Sequence, residues 1–325
     1  MTRIAAVQFE GVAGDVAENL RRLEPLIREA VDAGAEVIAL PEFFTSPIVF
    51  HPEVHEAVLP PENAAVDMLR DVARRHEVTI GGSMLIADGS AVYNRYHLVE
   101  SDGAVHLHDK DLPTMWENAF YGPGSDDGVA RTGIGRVGMA VCWELIRNQT
   151  ARRMLDRVDL VMTGTHWWTV PANWGPVGRV FTTVARRNQR LSESAPAELA
   201  RRLGVPVVQA SHCGRFRTPL GLIPGSRVTV PYLTHYVGAT QIVDSGGRVL
   251  AWRSTAEGPG VVVADVETGP RPPRTQIGPR FWTPRLPWLI RAYWWQQNAV
   301  ATRYYRDTGR AAGLAAAPTL DGDER

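Results

Sequence analysis

Three consecutive segments at the start of the chain narrow the folds open to it. Residues 4–9 form a short apolar run of the kind that makes a buried strand. Residues 16–33 carry apolar side chains at helical spacing (Leu20, Leu23, Ile27, Val31), with Asp15 placed to cap the helix and Gly34 to end it. Residues 36–40 are a second apolar run, which stops at Pro41-Glu42. The pattern is β–α–β, with Glu42 just beyond the carboxyl end of the second strand, where active sites of open α/β sheets gather.

The alternation continues with a helix over 63–76 and a strand over 78–83. Hairpins then intervene. Residues 91–99 and 104–108 flank Asp102-Gly103, and 238–243 and 248–252 flank Asp244-Ser245-Gly246-Gly247. Short apolar strands are expected at 135–141, 158–162, 206–210 and 261–265, with a long helix over roughly 176–203. Alternating helices with recurrent hairpins predict an α/β chain with mixed sheets and outer helices, not a purely parallel one. No repeat of fixed period is present.

At 325 residues, 44 % hydrophobic and 22 % charged, the chain can bury a sizeable core. Thirty-five basic and 35 acidic residues cancel, so nothing in the balance calls for nucleic acid. The two cysteines, Cys142 and Cys213, do not make a disulfide framework, and free thiols in a reducing compartment are expected. No signal-peptide pattern or long apolar span is evident, so no membrane partner is expected and the cytoplasm is the expected location. No linker divides the chain before residue 266. The organisation expected is one domain over 1–266, a C-terminal extension over 267–310 rich in Pro, Arg and Trp, and a disordered tail over 311–325.

The chemistry concentrates at strand ends. Residues 136–143, RVGMAVCW, deliver Cys142 to the end of a strand, where a sharp turn exposes the sulfur and aims the next N–H, that of Trp143, at an oxyanion. Taken alone, Cys142 reads more readily as a small buried hydrophobe than as a nucleophile. A thiol needs a base or a cation to become a competent nucleophile. Glu42, in IALPEFF, and Lys110, in HDKDLPTMWEN, each stand at the edge of another apolar strand. Individually they read as a loop carboxylate and an exposed lysine.

Together these segments resemble the nitrilase superfamily of carbon–nitrogen hydrolases. The resemblance rests on Pro41-Glu42 after the β–α–β start, KDLPTMWENAFYGPG over 110–124, and GRVGMAVCWE over 135–144; the hairpin QIVDSGGRVLA is also similar to the family's late strand pair. It covers roughly residues 3–266. Each motif alone is weak, but their order and strand-end contexts are specific. The resemblance implies a four-layer α-β-β-α sandwich in which Cys142 attacks the substrate carbon, Glu42 moves protons, Lys110 and the Trp143 amide stabilise negative charge, and Glu117 orients Lys110 or the substrate. It implies no metal or organic cofactor. It also implies a homodimer or higher homo-oligomer, and the C-terminal extension is expected to pack on the domain or on a partner subunit.

The substrate is expected to be a small amide or nitrile. His166, Trp167 and Trp168 in TGTHWW are candidates to shape its pocket, or else an aromatic core cluster with a hydrogen-bonded histidine. A thioester-forming acyltransferase on the same fold is the alternative function. His97, His106 and His108 lack the spacing of a metal-ligand set, Cys213 reads as an inert buried thiol, and Arg186, Arg187 and Arg190 read as a solvated or inter-subunit helix face.

Overall fold

The computed structural model describes residues 1–173, 178–221, 228–284, 286 and 288–317. Fourteen strands and six α-helices are present among them. The first half contains β1 (Thr2–Phe9), α1 (Val16–Asp32), β2 (Val37–Ala39), α2 (Ala64–His76), β3 (Thr79–Asp88), β4 (Ala91–Val99), β5 (Val105–Asp109), β6 (Val129–Thr132) and β7 (Gly135–Val141). Then come α3 (Asn148–Met154), β8 (Leu160–Thr165), α4 (Gly178–Leu203), β9 (Val207–His212), β10 (Arg215–Gly221), β11 (Thr229–His235), β12 (Gly238–Val243), β13 (Val249–Ser254), β14 (Gly260–Val266), α5 (Trp288–Tyr304) and α6 (Arg310–Ala316).

The local signals explain the early elements. Asp15 accepts a hydrogen bond from Glu18 N and caps α1, and Gly34 (φ +77°) ends it by donating to Val31 O. Asn63 caps α2 through the N–H groups of Ala65 and Val66.

The strands form two sheets joined at one place. One sheet runs β14-β1-β2-β3-β4-β5 and the other β13-β12-β9-β8-β7-β6. They meet where Gln8 and Phe9 of β1 pair in parallel with Ser211 and His212 of β9. Each sheet has a parallel centre (β1-β2-β3 and β7-β8-β9) with antiparallel strands added outside. Side-chain alternation along β1 shows the layering. Ala5 and Val7 pack outward with Ile38, Ile80, Leu23 and Ile27 of α1 and Leu69 of α2. Ile4 and Ala6 face inward to the core shared with Val137, Met139, Val161 and Val208 of the second sheet. Helices α3 and α4 cover the far face through Met154, Leu199 and Leu203. This is the expected four-layer α-β-β-α sandwich.

The helix expected over 176–203 is described from Gly178; its first two positions lie outside the described residues. The antiparallel pair β10-β11 and the short β6 had no expected counterpart. The C-terminal extension packs on its own domain. Arg271 N donates to Gly204 O, Thr283 N donates to Ile146 O, and α5 lies against the 3-10 turn Met115–Ala119. The tail departs from expectation. Residues 311–316, expected to be disordered, belong to α6, where small side chains allow close approach: a Cβ on Gly313 would meet Val92 at 2.9 Å. Residues 318–325 lie outside the described residues.

One close approach bears on the site. A Cβ on Gly164, in β8, would sit 2.3 Å from the backbone N of Glu42. Gly164→Ala should therefore cost roughly 1–3 kcal/mol through overpacking, read as a lowered urea midpoint, and should reduce activity by displacing Glu42. A variant with unchanged midpoint and rate would contradict this packing.

Candidate active site

Four strands of parallel sense deliver their carboxyl ends to one place. Glu42 follows β2, Lys110 follows β5, Cys142 follows β7 and His166 follows β8. Their polar groups converge in the protein interior. Lys110 Nζ donates to Glu42 Oε1 at 2.7 Å and to Glu117 Oε2 at 2.6 Å, and all three side chains are 0 % exposed. Lys110 is the only lysine in the sequence; every other basic side chain apart from histidine is arginine. The compact ammonium reaches two carboxylates that a planar guanidinium would engage differently.

Glu42 is tied on both oxygens. Oε1 also accepts from Asn94 Nδ2 at 2.8 Å, and Oε2 accepts from the backbone N–H of His166 at 2.9 Å. The Cys142 thiol lies close enough to Glu42 and to the His166 backbone for each to act on its protonation. Glu117 Oε2 accepts from Thr114 N at 3.0 Å and from the Tyr121 hydroxyl. Tyr121 also presents its ring to Lys110 at 5.9 Å.

The electrostatics follow from burial and from the single ammonium. Burial raises the Glu42 carboxyl to about 7, with Lys110 pulling it down and Glu117 pushing it up. Burial opposes the charge on Lys110, but Glu117 and Glu42 override it and hold the ammonium well above its usual range. Burial and the Glu42 charge push the Cys142 thiol well up. At rest the site therefore favours a thiol beside a carboxylate that titrates near neutrality.

Backbone strain accompanies these groups. Cys142 has φ +53°, Phe43, next to Glu42, has φ +55°, and Met115, two residues before Glu117, has φ +55°. A side-chain-bearing residue in this region costs of order 1–3 kcal/mol unless its surroundings hold it there. Around Cys142 that work falls to Glu144. Its buried carboxylate accepts from Val141 N at 2.7 Å, Asp111 N at 3.1 Å, Arg153 Nη2 at 2.7 Å and His108 Nε2 at 2.9 Å. Burial opposes that charge, yet Arg153 and His108 hold the acid well below the usual carboxylate range. His108 also meets Asp126 at 2.5 Å. Burial disfavours its charge, but Glu144 and Asp126 raise it to about 9.

Other expected residues divide. Trp143 and Trp167 face each other, ring centroids 5.6 Å apart, and both line a cavity of about 40 Å³, as does Trp168. The His166 side chain is not part of that lining. Its Nε2 accepts from Ile48 N at 3.1 Å and meets the Tyr236 hydroxyl at 3.0 Å, as in the hydrogen-bonded alternative. His106 pairs with Glu100, and His97 Nδ1 meets Arg95 O. Cys213 is buried and pushed up to about 12 by that burial. Arg186, Arg187 and Arg190 are exposed. Among the described residues no helix is long and apolar enough to cross a membrane, and no group of three or more His, Cys, Asp or Glu could hold a metal ion.

Asn94, Tyr121 and the Glu144–His108–Arg153 cluster were missed from sequence. Asn94, a polar residue in the middle of an apolar strand, was the available signal.

The chain matches the carbon–nitrogen hydrolase family over residues 3–269. It belongs to that family. A cyanide hydratase from Armillaria gallica is 25 % identical over 272 residues, 77 % of this chain and 76 % of that protein. An omega-amidase from Mus musculus is 30 % identical over 188 residues, 53 % and 67 % of the two chains. Among solved structures, an amidase from Nesterenkonia sp. AN1 has a TM-score of 0.59 at 20 % identity, covering 82 % of this chain and 94 % of that one. Nit3 of Saccharomyces cerevisiae, a nitrilase-superfamily member, has a TM-score of 0.60 at 20 % identity, covering 81 % and 89 %. This carbon–nitrogen hydrolase thus shares its sandwich with the nitrilase superfamily.

Two measurements check the site. Reductive methylation should modify one amine, the α-amino group, in the native protein and two after unfolding in guanidinium, counted by intact mass; rapid native labelling of Lys110 would contradict its burial. The second concerns His108. With a folded value of about 9 against an unfolded value of about 6.5, its contribution is fully present below pH about 6.5. It is lost as pH rises through about 9, by roughly 3 kcal/mol at most. Urea midpoints should fall over that window, and His108→Gln should flatten the fall.

Proposed function

We propose that this enzyme cleaves the carbon–nitrogen bond of a small amide or nitrile through a thioester on Cys142. The observation that carries the proposal is the meeting of the Cys142 thiol, held at positive φ, with a Glu42 carboxyl that titrates near 7 and is bonded to Lys110.

For an amide, Glu42 takes the thiol proton as Sγ attacks the carbonyl carbon. The oxygen that gains charge is stabilised by the Trp143 N–H and by Lys110 Nζ. Glu42 returns the proton to the leaving nitrogen, the carbon–nitrogen bond breaks, and ammonia or amine departs. Water then gives a proton to Glu42 and attacks the thioester, releasing the acid and regenerating the thiol. A nitrile follows the same course through a thioimidate, with water supplying the oxygen before ammonia leaves. Glu117 Oε1 and Asn94 Oδ1 are buried with no hydrogen-bond partner and are suited to accept from a substrate N–H.

A panel of small amides and nitriles, assayed for ammonia and acid, tests the reading. Cys142→Ala should lower turnover by at least ~10³-fold, and Glu42→Gln by ~10²–10⁴-fold. Ammonia release that survives loss of the thiol sinks the mechanism. An acyl-enzyme that turns over only with added amine would assign an acyltransferase instead.

The pH profile supplies a separate check. Glu42 acts as a base only when ionised, so kcat/KM should rise with pH through an ascending limb near 7. A rate already flat below pH 5 would remove Glu42 from that role.

A further inference from the structure

We infer that helix α5 is a specificity element: its Ile290 and Tyr293 side chains close the acyl pocket and restrict the substrate to an uncharged, short apolar amide or nitrile. This inference rests on the thioester reading above and names its substrate class. One cavity is lined by Met115, Trp143, Trp167, Asn188, Ile290 and Tyr293, among others, and its lining includes none of Glu42, Lys110, Glu117 and Cys142. Three of these are close chain neighbours of the reacting groups: Trp143 follows Cys142, Trp167 follows His166, and Met115 lies two residues before Glu117. The opposite wall comes from α5, beyond residue 269 where the family match ends.

Size and charge set the class. About 40 Å³ is room for roughly three waters, or a few heavy atoms. No lining side chain carries a charge. Two of the polar side chains are already committed. Asn188 accepts from Trp167 Nε1 at 2.9 Å and donates to Trp168 O at 2.9 Å, and the Tyr232 hydroxyl donates to Thr169 O at 2.6 Å. A carboxylate entering this space would be desolvated without a counter-charge. The wall is also fixed in place. Asn298 Oδ1, on α5, accepts from Met115 N at 2.9 Å and from Asn118 Nδ2 at 3.0 Å, so α5 is pinned to the turn that carries Glu117.

The test uses the full-length enzyme with propionamide, hexanamide, benzamide, their nitriles, and the monoamide of succinate. The wild type should prefer the short neutral compounds and use the succinate monoamide at under about 1 % of their kcat/KM. Ile290→Ala should raise the long-to-short ratio of kcat/KM by ~10-fold, and Ile290→Phe should lower it. The opposite signs keep the test decisive if one variant fails to fold. A ratio that moves less than twofold in the folded variants, or a wild-type preference for the anionic monoamide, overturns the inference. Alkylation of Cys142 by 2-chloroacetamide and 2-chlorohexanamide, each rate read by intact mass and divided by that for a free thiol in solution, reports the same size order without turnover. That order with no ammonia release would sink the hydrolase reading and leave the wall standing. Ammonia release with an indifferent wall would do the reverse.

Discussion

The site is built around one ammonium held between two carboxylates inside the protein. Burying Lys110, Glu42 and Glu117 is expensive unless each charge meets its opposite at hydrogen-bond distance. The sandwich achieves this by bringing the ends of β2 and β5 together above the seam between its sheets, with the Glu117 turn closing over them. Burial lifts the Glu42 carboxyl to about 7, and Lys110, which shares it with Asn94 and the His166 amide, keeps it from rising further. Gly164 is small so that β8 can run directly beneath the Glu42 backbone.

A second buried charge cluster serves the first. Glu144 gathers Val141 N, Asp111 N, Arg153 and His108, and so holds the strained turn on which Cys142 sits. These two clusters divide the labour. One sets the protonation of the reacting groups, and the other sets the backbone geometry that presents the thiol.

Much of this was legible in the sequence where local physics decides the outcome. The β–α–β opening, the caps at Asp15 and Asn63, and the strands ending at Glu42 and Cys142 follow from periodicity and capping chemistry. Glu42, Lys110 and Cys142 could be grouped because each ends an apolar strand, and the resemblance supplied their order. What was not legible depends on partners distant in sequence. Asn94 and Tyr121 acquire meaning only once β4 and the Glu117 turn lie against Glu42. His166 looked like a pocket residue because two tryptophans follow it, yet its ring turns toward Ile48 and Tyr236. The tail from 311 looked disordered because its residues are small. Alanine favours helix, and small residues are what let α6 lie close to β4.

The placement of β1 has a consequence for how the chain reaches this state. Its first neighbour, β2, follows within about forty residues, but β9 and β14 arrive only after position 207 and position 260. At a synthesis rate of roughly 5–20 residues per second, the first strand must wait about 10–50 s before both remaining neighbours exist. Until then it presents unpaired backbone beside an apolar core. Pairing this distant in sequence raises the contact order, the property that slows folding.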